Sequence, residues 1–257
     1  MKLTFLGTGT SFGVPVIGCG CPVCRSEDPR DKRTRVGAVV EVGHTRLLLD
    51  TPPELRLQLI ATGIDHVDAV LFTHDHADHT HGIDDIRAIS VRRQGALPMY
   101  GPAETLKTLA HRFPYIFDES IRALPGTHKP EGSATALEPG VAVRIGEATV
   151  VPIEVPHGRW RVFGYRIGAL GYLTDAKTVP DAAIEALGGV EVLVLNALFR
   201  TPHPTHLSLD EAVTVARRIG ARQTWLTHLT HDNFHAALAS ELPPDIQPAW
   251  DGLVVEF

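Results

Sequence analysis

One short segment of the chain contains many groups that can bind metal ions. Residues 73–79 read THDHADH, which places three imidazoles and two carboxylates within seven residues. Burying so many ionisable groups is costly unless each finds a partner, and metal ions would supply those partners. The preceding residues 69–72 read AVLF, a short apolar run typical of a buried strand. The histidines therefore follow directly on a predicted strand, where α/β folds usually build their sites.

Three more candidate ligands occupy the same kind of position. His157, Asp175 and His228 each stand directly after a segment that reads as a strand. A single histidine at such a place is more often a surface or core residue, because residue type alone specifies little. Four strand ends that all present metal-binding side chains indicate more, and we expect them to converge on one edge of the fold and form a metal site.

A second candidate metal site lies in the N-terminal part of the chain. Residues 18–24 read GCGCPVC, so that the chain's three cysteines, Cys19, Cys21 and Cys24, fall within six residues. They cannot all pair within one chain, which argues against a disulfide framework and for reduced thiolates. Three soft ligands separated by turn residues suit tetrahedral zinc, which needs a fourth ligand from elsewhere. We expect a zinc-binding loop over about residues 18–32.

Length and composition limit the function classes. A chain of 257 residues with 44% hydrophobic and 21% charged residues is typical of a globular protein, and we expect one domain over residues 1–257. The formal charge of −6 gives no general attraction to a polyanion, so we do not expect nucleic acid as a partner. No apolar run approaches the roughly 20 residues that span a bilayer, and residues 1–7 are too short for a signal peptide. We therefore expect a cytoplasmic protein without a membrane partner.

The periodicity of apolar residues predicts two β-rich halves of similar length that also contain helices. Strands are predicted at residues 2–6, 36–42, 45–49, 69–72, 99–100, 141–155, 162–167, 171–173, 190–195, 223–226 and 254–255. Helices are predicted at residues 54–62, 82–91, 104–112, 180–187 and 208–219. The start of the last helix is best defined, because Ser208 and Glu211 have the spacing of a capping box. Between about residues 114 and 140 periodicity is poor, which predicts a long loop or insertion.

The order and spacing of the candidate ligands resemble a known family. The motif H-x-H-x-D-H at residues 74–79, followed by the three strand-end residues, is similar to the pattern of metallo-β-lactamase-fold hydrolases over most of the chain. Residues 7–11 (GTGTS), the cysteine cluster and residues 227–231 most resemble the PhnP-type phosphodiesterases of phosphonate breakdown, which act on a ribosyl cyclic phosphate. The resemblance implies an α/β (α+β) fold, a four-layer αββα sandwich, and a homodimer.

The resemblance also assigns ligands to metal ions. It implies two catalytic divalent ions, the first held by His74, His76 and His157. The second is held by Asp78, His79 and His228, and Asp175 bridges both. A separate structural zinc is held by Cys19, Cys21, Cys24 and His231. Imidazole and carboxylate ligands suit either Zn²⁺ or Mn²⁺ in the catalytic pair, whereas three thiolates with one imidazole form a closed zinc site.

The two sites share a short segment of chain. His228 and His231 are three residues apart, so on one helical turn both would point in the same general direction. This spacing predicts that the structural zinc pins the N-terminal loop beside the catalytic site.

The expected reaction is hydrolysis of a small, possibly cyclic phosphodiester. Two metal ions about 3.5–4 Å apart can hold a hydroxide between them and stabilise both oxygens of an in-line displacement at phosphorus. We expect this metal-bridging hydroxide to be the nucleophile, with Asp78 orienting it or accepting a proton. By resemblance, His206 is the general acid that protonates the leaving group, and His203 is the competing candidate.

Other functions share parts of this pattern. A nuclease or tRNA-processing enzyme of the same superfamily would share the metal ligands, although the chain has no long basic insertion to grip RNA. A thioesterase or lactonase would use the same dinuclear centre on a carbonyl carbon. A related cofactor-biosynthesis protein with a similar zinc cluster would bind its ligand without hydrolysing it. Residues 7–13 do not fit the dinucleotide-binding fingerprint, because Phe12 stands where the third glycine is needed, and no organic cofactor is expected.

The remaining histidines and several aromatic residues give weaker indications. We expect five histidines to be exposed in turns or on polar helix faces, namely His44, His66, His111, His128 and His235. Three aromatic residues either border the substrate pocket or pack in the core. These are Trp160, which closely follows His157, and Tyr115 and Phe117 in the predicted long loop.

Overall fold

The computed structural model describes all 257 residues. The strands are β1 (Lys2–Gly7), β2 (Gly37–Val42), β3 (Thr45–Leu49), β4 (Ala69–Leu71), β5 (Leu97–Gly101), β6 (Gly132–Ala136), β7 (Val143–Ile145), β8 (Ala148–His157), β9 (Trp160–Ile167), β10 (Leu170–Leu173), β11 (Val192–Asn196), β12 (Gln223–Thr227), β13 (Ile246–Pro248) and β14 (Val254–Glu256). The helices are α1 (Pro22–Arg25), α2 (Leu55–Thr62), α3 (Ala77–Thr80), α4 (Arg87–Arg93), α5 (Ala103–Arg112), α6 (Pro114–Phe117), α7 (Asp181–Ala186), α8 (Leu209–Ile219) and α9 (His235–Glu241). None of these helices is both long enough and apolar enough to cross a bilayer.

The strands form two seven-stranded sheets of similar design. The first has the order β14-β1-β2-β3-β4-β5-β6, and the second has the order β13-β12-β11-β10-β9-β8-β7. In each sheet one half is antiparallel and the other is parallel, with β3 to β6 parallel in the first and β10 to β13 parallel in the second. The two β-rich halves suggested by the sequence therefore correspond broadly to the two sheets.

Apolar side chains from both sheets pack against each other in the centre of the molecule. Leu47 of the first sheet and Tyr165 and Val194 of the second belong to one buried cluster. The outer face of the first sheet is covered by α2, α4 and α5, and that of the second by α7, α8 and α9. The architecture is thus the predicted four-layer αββα sandwich.

Two local predictions differ from the structure. Residues 114–140 are not a loop throughout, because α6 and the edge strand β6 lie within them. The sequence of β6 is GSATA and four of its five residues are exposed, so it shows no apolar alternation that would have marked it as a strand. Residues 228–231 do not form the expected helical turn. His228 has a left-handed backbone with φ of 57°, and Leu229 forms an isolated bridge with Gly9.

Candidate active site and a second metal site

Side chains at the ends of four strands meet at one edge of the sandwich. The segment 73–79 follows β4, His157 is the last residue of β8, Asp175 follows β10, and His228 follows β12. Asp175 and His228 both have a positive φ, of 60° and 57°. Such backbone conformations are costly for residues other than glycine and persist only where the surrounding structure fixes them. They are often found at functional sites.

The structure brings all seven predicted catalytic-site ligands together. The donor atoms of His74, His76 and His157 form one cluster in which all lie within 4.8 Å of one another. Those of Asp78, His79 and His228 form a second cluster of the same kind. Asp175 contacts both clusters: it groups with His74 and His79 and also with His157 and His206, and its Oδ2 is 3.2 Å from His79 Nε2. This is the position that a bridging carboxylate requires, and the assignment of each ligand to an ion stays a prediction.

The hydrogen bonds of the imidazoles leave nitrogen atoms free for metal. On the outer side, Nδ1 of His79 donates to Asp50, at 2.7 Å, and Nδ1 of His157 donates to the Thr205 carbonyl, at 2.8 Å. Nε2 of His74, Nε2 of His79 and both ring nitrogens of His228 are buried without any hydrogen-bond partner. Because buried polar atoms are nearly always paired, these unpartnered nitrogens fit a site made for divalent metal ions.

The electrostatics of the cluster support the same conclusion. Burial alone would lower the pKa of His79, but Asp175, Asp78 and Asp50 together raise it well above its usual value. Burial opposes ionisation of Asp175, yet neighbouring imidazoles, chiefly those of His228 and His79, hold its pKa well below the usual range. The carboxylates therefore stay ionised and require positive charge beside them, which bound divalent cations would provide.

Asp50 is a further residue of the candidate site to which the sequence alone assigned no role. Its carboxylate accepts hydrogen bonds from the Thr73 backbone N–H and hydroxyl, both at 2.8 Å, as well as from Nδ1 of His79. It is fully buried and, like Asp175, has a left-handed backbone, with φ of 61°. A carboxylate behind a metal-binding histidine fixes its tautomer and orientation. Its place directly after β3 was the available sequence signal.

His206 lies against the ligand cluster, as the resemblance implied. Its Nε2 is 2.8 Å from Asp175 Oδ1, and its ring stacks on that of His228 with centroids 4.8 Å apart. Burial lowers the pKa of His206, while its hydrogen bond to Asp175 acts in the opposite direction. His203 belongs to none of the clusters of metal-binding groups and reaches His206 through the Thr205 hydroxyl. The structure thus places His206, and not His203, against the predicted metal ligands.

The secondary candidates fall in different places. Trp160 lies beside the cluster, with its ring centroid 5.7 Å from that of His76. Tyr115 and Phe117 instead pack against the apolar cluster beneath the helices of the first sheet. His235 is buried, contrary to the expectation of exposure, because it begins α9 and packs against Trp250.

A second cluster unites the three cysteines with His231. Each sulfur, of Cys19, Cys21 and Cys24, lies 3.4 Å from His231 Nδ1. Typical zinc bond lengths in a tetrahedral site would place sulfur and nitrogen ligands roughly 3.5 Å apart, so the observed arrangement fits the ion. The Cys24 backbone N–H donates to the Cys21 sulfur and lowers the pKa of that thiol to about 6, although burial opposes the shift. This favours the thiolate form of Cys21. Burial raises the pKa of Cys24 to about 11, so zinc binding would have to displace the proton of that thiol.

Comparison with known proteins identifies the family. The β-lactamase superfamily domain matches residues 45–229, a range that includes all seven catalytic-site ligands. The chain belongs to this superfamily. The three cysteines and His231 lie outside the matched range.

Comparison with individual proteins shows which branch of the superfamily the chain is similar to. A crystal structure of a new diphosphatase from the PhnP family matches with a TM-score of 0.91 and 40% identity, covering 100% of this chain and 97% of that one. Zn²⁺-bound PqqB from Methylobacterium extorquens shares the fold, with a TM-score of 0.80, 17% identity and complete coverage of both chains. The chain is 39% identical to an octanoyltransferase from Porphyromonas gingivalis over 98% of its own residues, but spans only 51% of that relative's length. At the identity and coverage of the first match, the chain is a member of the PhnP family and has the fold and site of a metal-dependent hydrolase.

Proposed function

We propose that the protein is a metal-dependent phosphodiesterase that cleaves a P–O bond of a small phosphodiester. The observation that carries the proposal is the position of Asp175. Its carboxylate lies between two clusters of metal-binding groups and also accepts a hydrogen bond from His206, at 2.8 Å. The groups that would hold a dinuclear centre and a proton donor are therefore adjacent, and together they promote displacement of an alkoxide from phosphorus.

The ligands would hold one ion through His74, His76 and His157, and a second through Asp78, His79 and His228, with Asp175 between them. Bound there, two divalent ions would supply Lewis acidity that stabilises the attacking and leaving oxygens of an in-line displacement. The protein keeps the imidazoles oriented through their Nδ1 atoms, as in the pair formed by His79 and Asp50. Zinc and manganese both suit this ligand set.

His206 holds a proton at Nε2, which points at the Asp175 carboxylate. Its Nδ1 is 2.8 Å from the Thr205 hydroxyl, so the ring is fixed from both sides. As the imidazolium, with Nδ1–H donating to the Thr205 hydroxyl, it would donate the Nε2 proton to the alkoxide that leaves phosphorus and remain as the neutral imidazole. Asp78, with Oδ2 at 3.6 Å from His79 Nε2 and 3.8 Å from His228 Nε2, stays ionised and can orient or deprotonate the nucleophile.

The family match supports phosphorus chemistry, because the PhnP-family neighbour at 40% identity is described as a diphosphatase. A diphosphate link is therefore the first variation on the proposed substrate to test. A second candidate function is hydrolysis of a thioester, and the relative described as an octanoyltransferase supports acyl chemistry, although the chain spans only 51% of its length. A cleft of about 500 Å³ lies between α2 and α4, and no predicted catalytic-site ligand lines it. An acyl chain bound there would therefore lack these ligands as neighbours.

The first experiment combines metal analysis with a substrate panel. The purified protein is loaded with Zn²⁺ or Mn²⁺ and assayed on bis(p-nitrophenyl) phosphate, cyclic nucleotides, a dinucleoside diphosphate and octanoyl-coenzyme A. We expect about three metal ions per chain and hydrolysis of phosphodiesters that stops on chelation. If only the thioester were hydrolysed, the proposed phosphodiesterase function would be wrong and the second candidate function would be supported. A single chelator-resistant ion without hydrolysis of any substrate would indicate a binding protein.

The role of His206 is tested by the leaving group. His206→Ala should slow hydrolysis of an alkyl diester by about 10²-fold or more, because the alkoxide then leaves unprotonated. A p-nitrophenolate needs no proton, so its release should change much less. His203→Ala tests the competing candidate, and His44→Ala, at an exposed histidine, is the control. Equal losses of His206→Ala on both substrates would exclude the general-acid role.

A further inference from the structure

One strand that ends beside the catalytic centre carries no metal-binding side chain there. β11 lies between β10 and β12 in the second sheet and runs parallel to both. Its two neighbours lead into Asp175 and His228, whereas β11 ends at Asn196, which is fully buried. Because a buried amide is costly unless its polar atoms are hydrogen-bonded, the partners of Asn196 indicate its role.

The Asn196 side chain binds both polar backbone groups of a single residue. Its Oδ1 accepts a hydrogen bond from the Ala176 N–H, at 2.8 Å, and its Nδ2 donates to the Ala176 carbonyl, at 3.1 Å. Ala176 directly follows Asp175, which has a left-handed backbone with φ of 60°. Such a conformation persists only where the surrounding structure fixes it, and the two hydrogen bonds of Asn196 fix the next residue along the chain.

The same Ala176 carbonyl connects the backbone at Asp175 to that at His206. It also accepts a hydrogen bond from the Leu207 N–H, at 2.8 Å, and Leu207 directly follows His206. The side chains of Asp175 and His206 meet with Oδ1 and Nε2 2.8 Å apart. Their contact therefore depends on a backbone connection whose carbonyl group Asn196 holds in place.

The backbone at the end of β11 extends this arrangement. The Ala197 N–H donates to the carbonyl of Thr227, which directly precedes His228, at 3.0 Å. The Leu198 N–H donates to the Leu207 carbonyl, at 2.9 Å. The end of β11 thus contacts residues adjacent to three members of the candidate site without supplying a predicted ligand.

We infer that Asn196 is a positioning residue, which fixes the Asp175 carboxylate relative to the His206 imidazole. The inference rests on the proposed phosphodiesterase function and adds a residue on which the reaction depends although it is fully buried. Without the amide, the Ala176 N–H would be buried without a partner and the left-handed backbone of Asp175 would lose a constraint. A displacement of about 1 Å at the reacting groups can cost about 10²-fold in rate.

Metal affinity tests the positioning role without turnover. Asn196→Leu keeps the approximate size of the side chain and removes both hydrogen bonds. Its affinity for Zn²⁺ at the catalytic pair, measured by competition with a chromophoric chelator, should fall by about 10- to 100-fold. Asn196→Ala removes the same hydrogen bonds and leaves room for a water molecule, so it provides the same measurement if the leucine variant does not fold.

Gln58→Met is the matched control. Gln58 is another buried amide, and its Nε2 donates to the Thr34 hydroxyl and the Arg35 carbonyl. The control should lower Tm, because it also loses buried hydrogen bonds, and keep the wild-type metal affinity. Wild-type affinity in either Asn196 variant, or an equal loss in Gln58→Met, would overturn the positioning role.

A double variant separates this inference from the proposed function. At saturating Zn²⁺, Asn196→Leu should slow hydrolysis of an alkyl diester by about 10- to 100-fold. Combined with His206→Ala, it should slow the reaction by much less than the product of the two single losses, because both substitutions act on the same contact. Losses that multiply would overturn the positioning role and leave the phosphodiesterase in place. Weaker metal binding by Asn196→Leu, in a protein that hydrolyses no diester, would remove the phosphodiesterase and keep the positioning role.

Discussion

The two candidate metal sites are built in opposite ways. The seven-residue site takes its ligands from strand ends that rest on the large apolar clusters of both sheets. The thiolate site takes three ligands from an N-terminal loop whose own apolar cluster has only three buried members, Val14, Val23 and Cys24. The first ligand set is positioned by packing, whereas the second has little packing to position it.

This difference indicates what each metal contributes. Carboxylates and imidazoles that rigid strands hold in place suit an open centre that exchanges substrate and product. Three thiolates and one imidazole occupy all four coordination positions of a tetrahedral zinc ion, so that none is left for substrate. We therefore expect metal removal to stop chemistry at the first site with little loss of structure, and to loosen the loop at the second.

The largest effect is expected from Asp175→Asn. Asparagine keeps the size of the side chain and tolerates the left-handed backbone, but removes the charge between the two ligand clusters. Hydrolysis should fall by at least about 10²-fold, with metal lost from the catalytic pair and the circular dichroism spectrum unchanged. Asp181→Asn, at an exposed carboxylate in α7, is the control. Full activity with three bound metal ions would show that Asp175 is not a required metal ligand.

Asp50→Asn should have a smaller effect, because Asp50 acts through His79. Weakening its hydrogen bond to Nδ1 should reduce metal affinity at the catalytic pair by about 10- to 100-fold. Competition with a chromophoric chelator measures this affinity, and the metal bound by thiolates in the same sample is the internal control. An unchanged affinity would leave Asp50 with a role in folding only.

Cys21→Ser tests the loop. The variant should lose one metal ion, and amide exchange should accelerate across residues 10–33, where Val14 and Arg33 exchange backbone hydrogen bonds. Activity should fall by less than about tenfold, since no catalytic-site ligand is changed. The N-terminal segment contacts the catalytic site through the Leu229 N–H, which donates to the Thr8 carbonyl, at 3.0 Å. Loss of the zinc is expected to affect activity through this contact. If metal content and activity both stayed at the wild-type level, the pinning role of this zinc would be wrong.

The smallest effect is a dependence of stability on pH near the thiolate site. Burial, together with Arg33 and Arg30, lowers the pKa of His235 to about 4, although Asp28 and Asp31 act in the opposite direction. In the unfolded chain the value is about 6.5, so the unfolded state takes up the proton first as pH falls. This contribution to stability is complete above about pH 6.5 and is lost between there and pH 4.

His235→Gln removes that titration. Between pH 7 and pH 4.5 the wild type should lose roughly 5–10 °C more in Tm than the variant. His44→Gln, at an exposed histidine, should follow the wild type. Parallel curves for the wild type and His235→Gln would show that His235 does not contribute to acid sensitivity.

Local patterns predicted much of this molecule. The capping box of Ser208 and Glu211 forms as expected, because both partners lie within one helical turn. The strand ends that converge on the site were visible because each ligand directly follows an apolar run. The partnership of Asp50 and His79 was not, since it joins residues 29 positions apart and depends on how two strands pack. The strand β6 was missed because edge position, rather than apolar alternation, defines it.

The order of the ligands along the chain determines when each metal site can be completed during synthesis. The first half of the chain supplies His74, His76, Asp78 and His79, and the second half supplies the remaining strand-end ligands. The last ligands of the two sites, His228 and His231, leave the ribosome almost together. A nascent or cleaved chain that ends before residue 228 lacks one ligand of each site. Only a chain that extends past His231 can therefore bind the full set of metal ions.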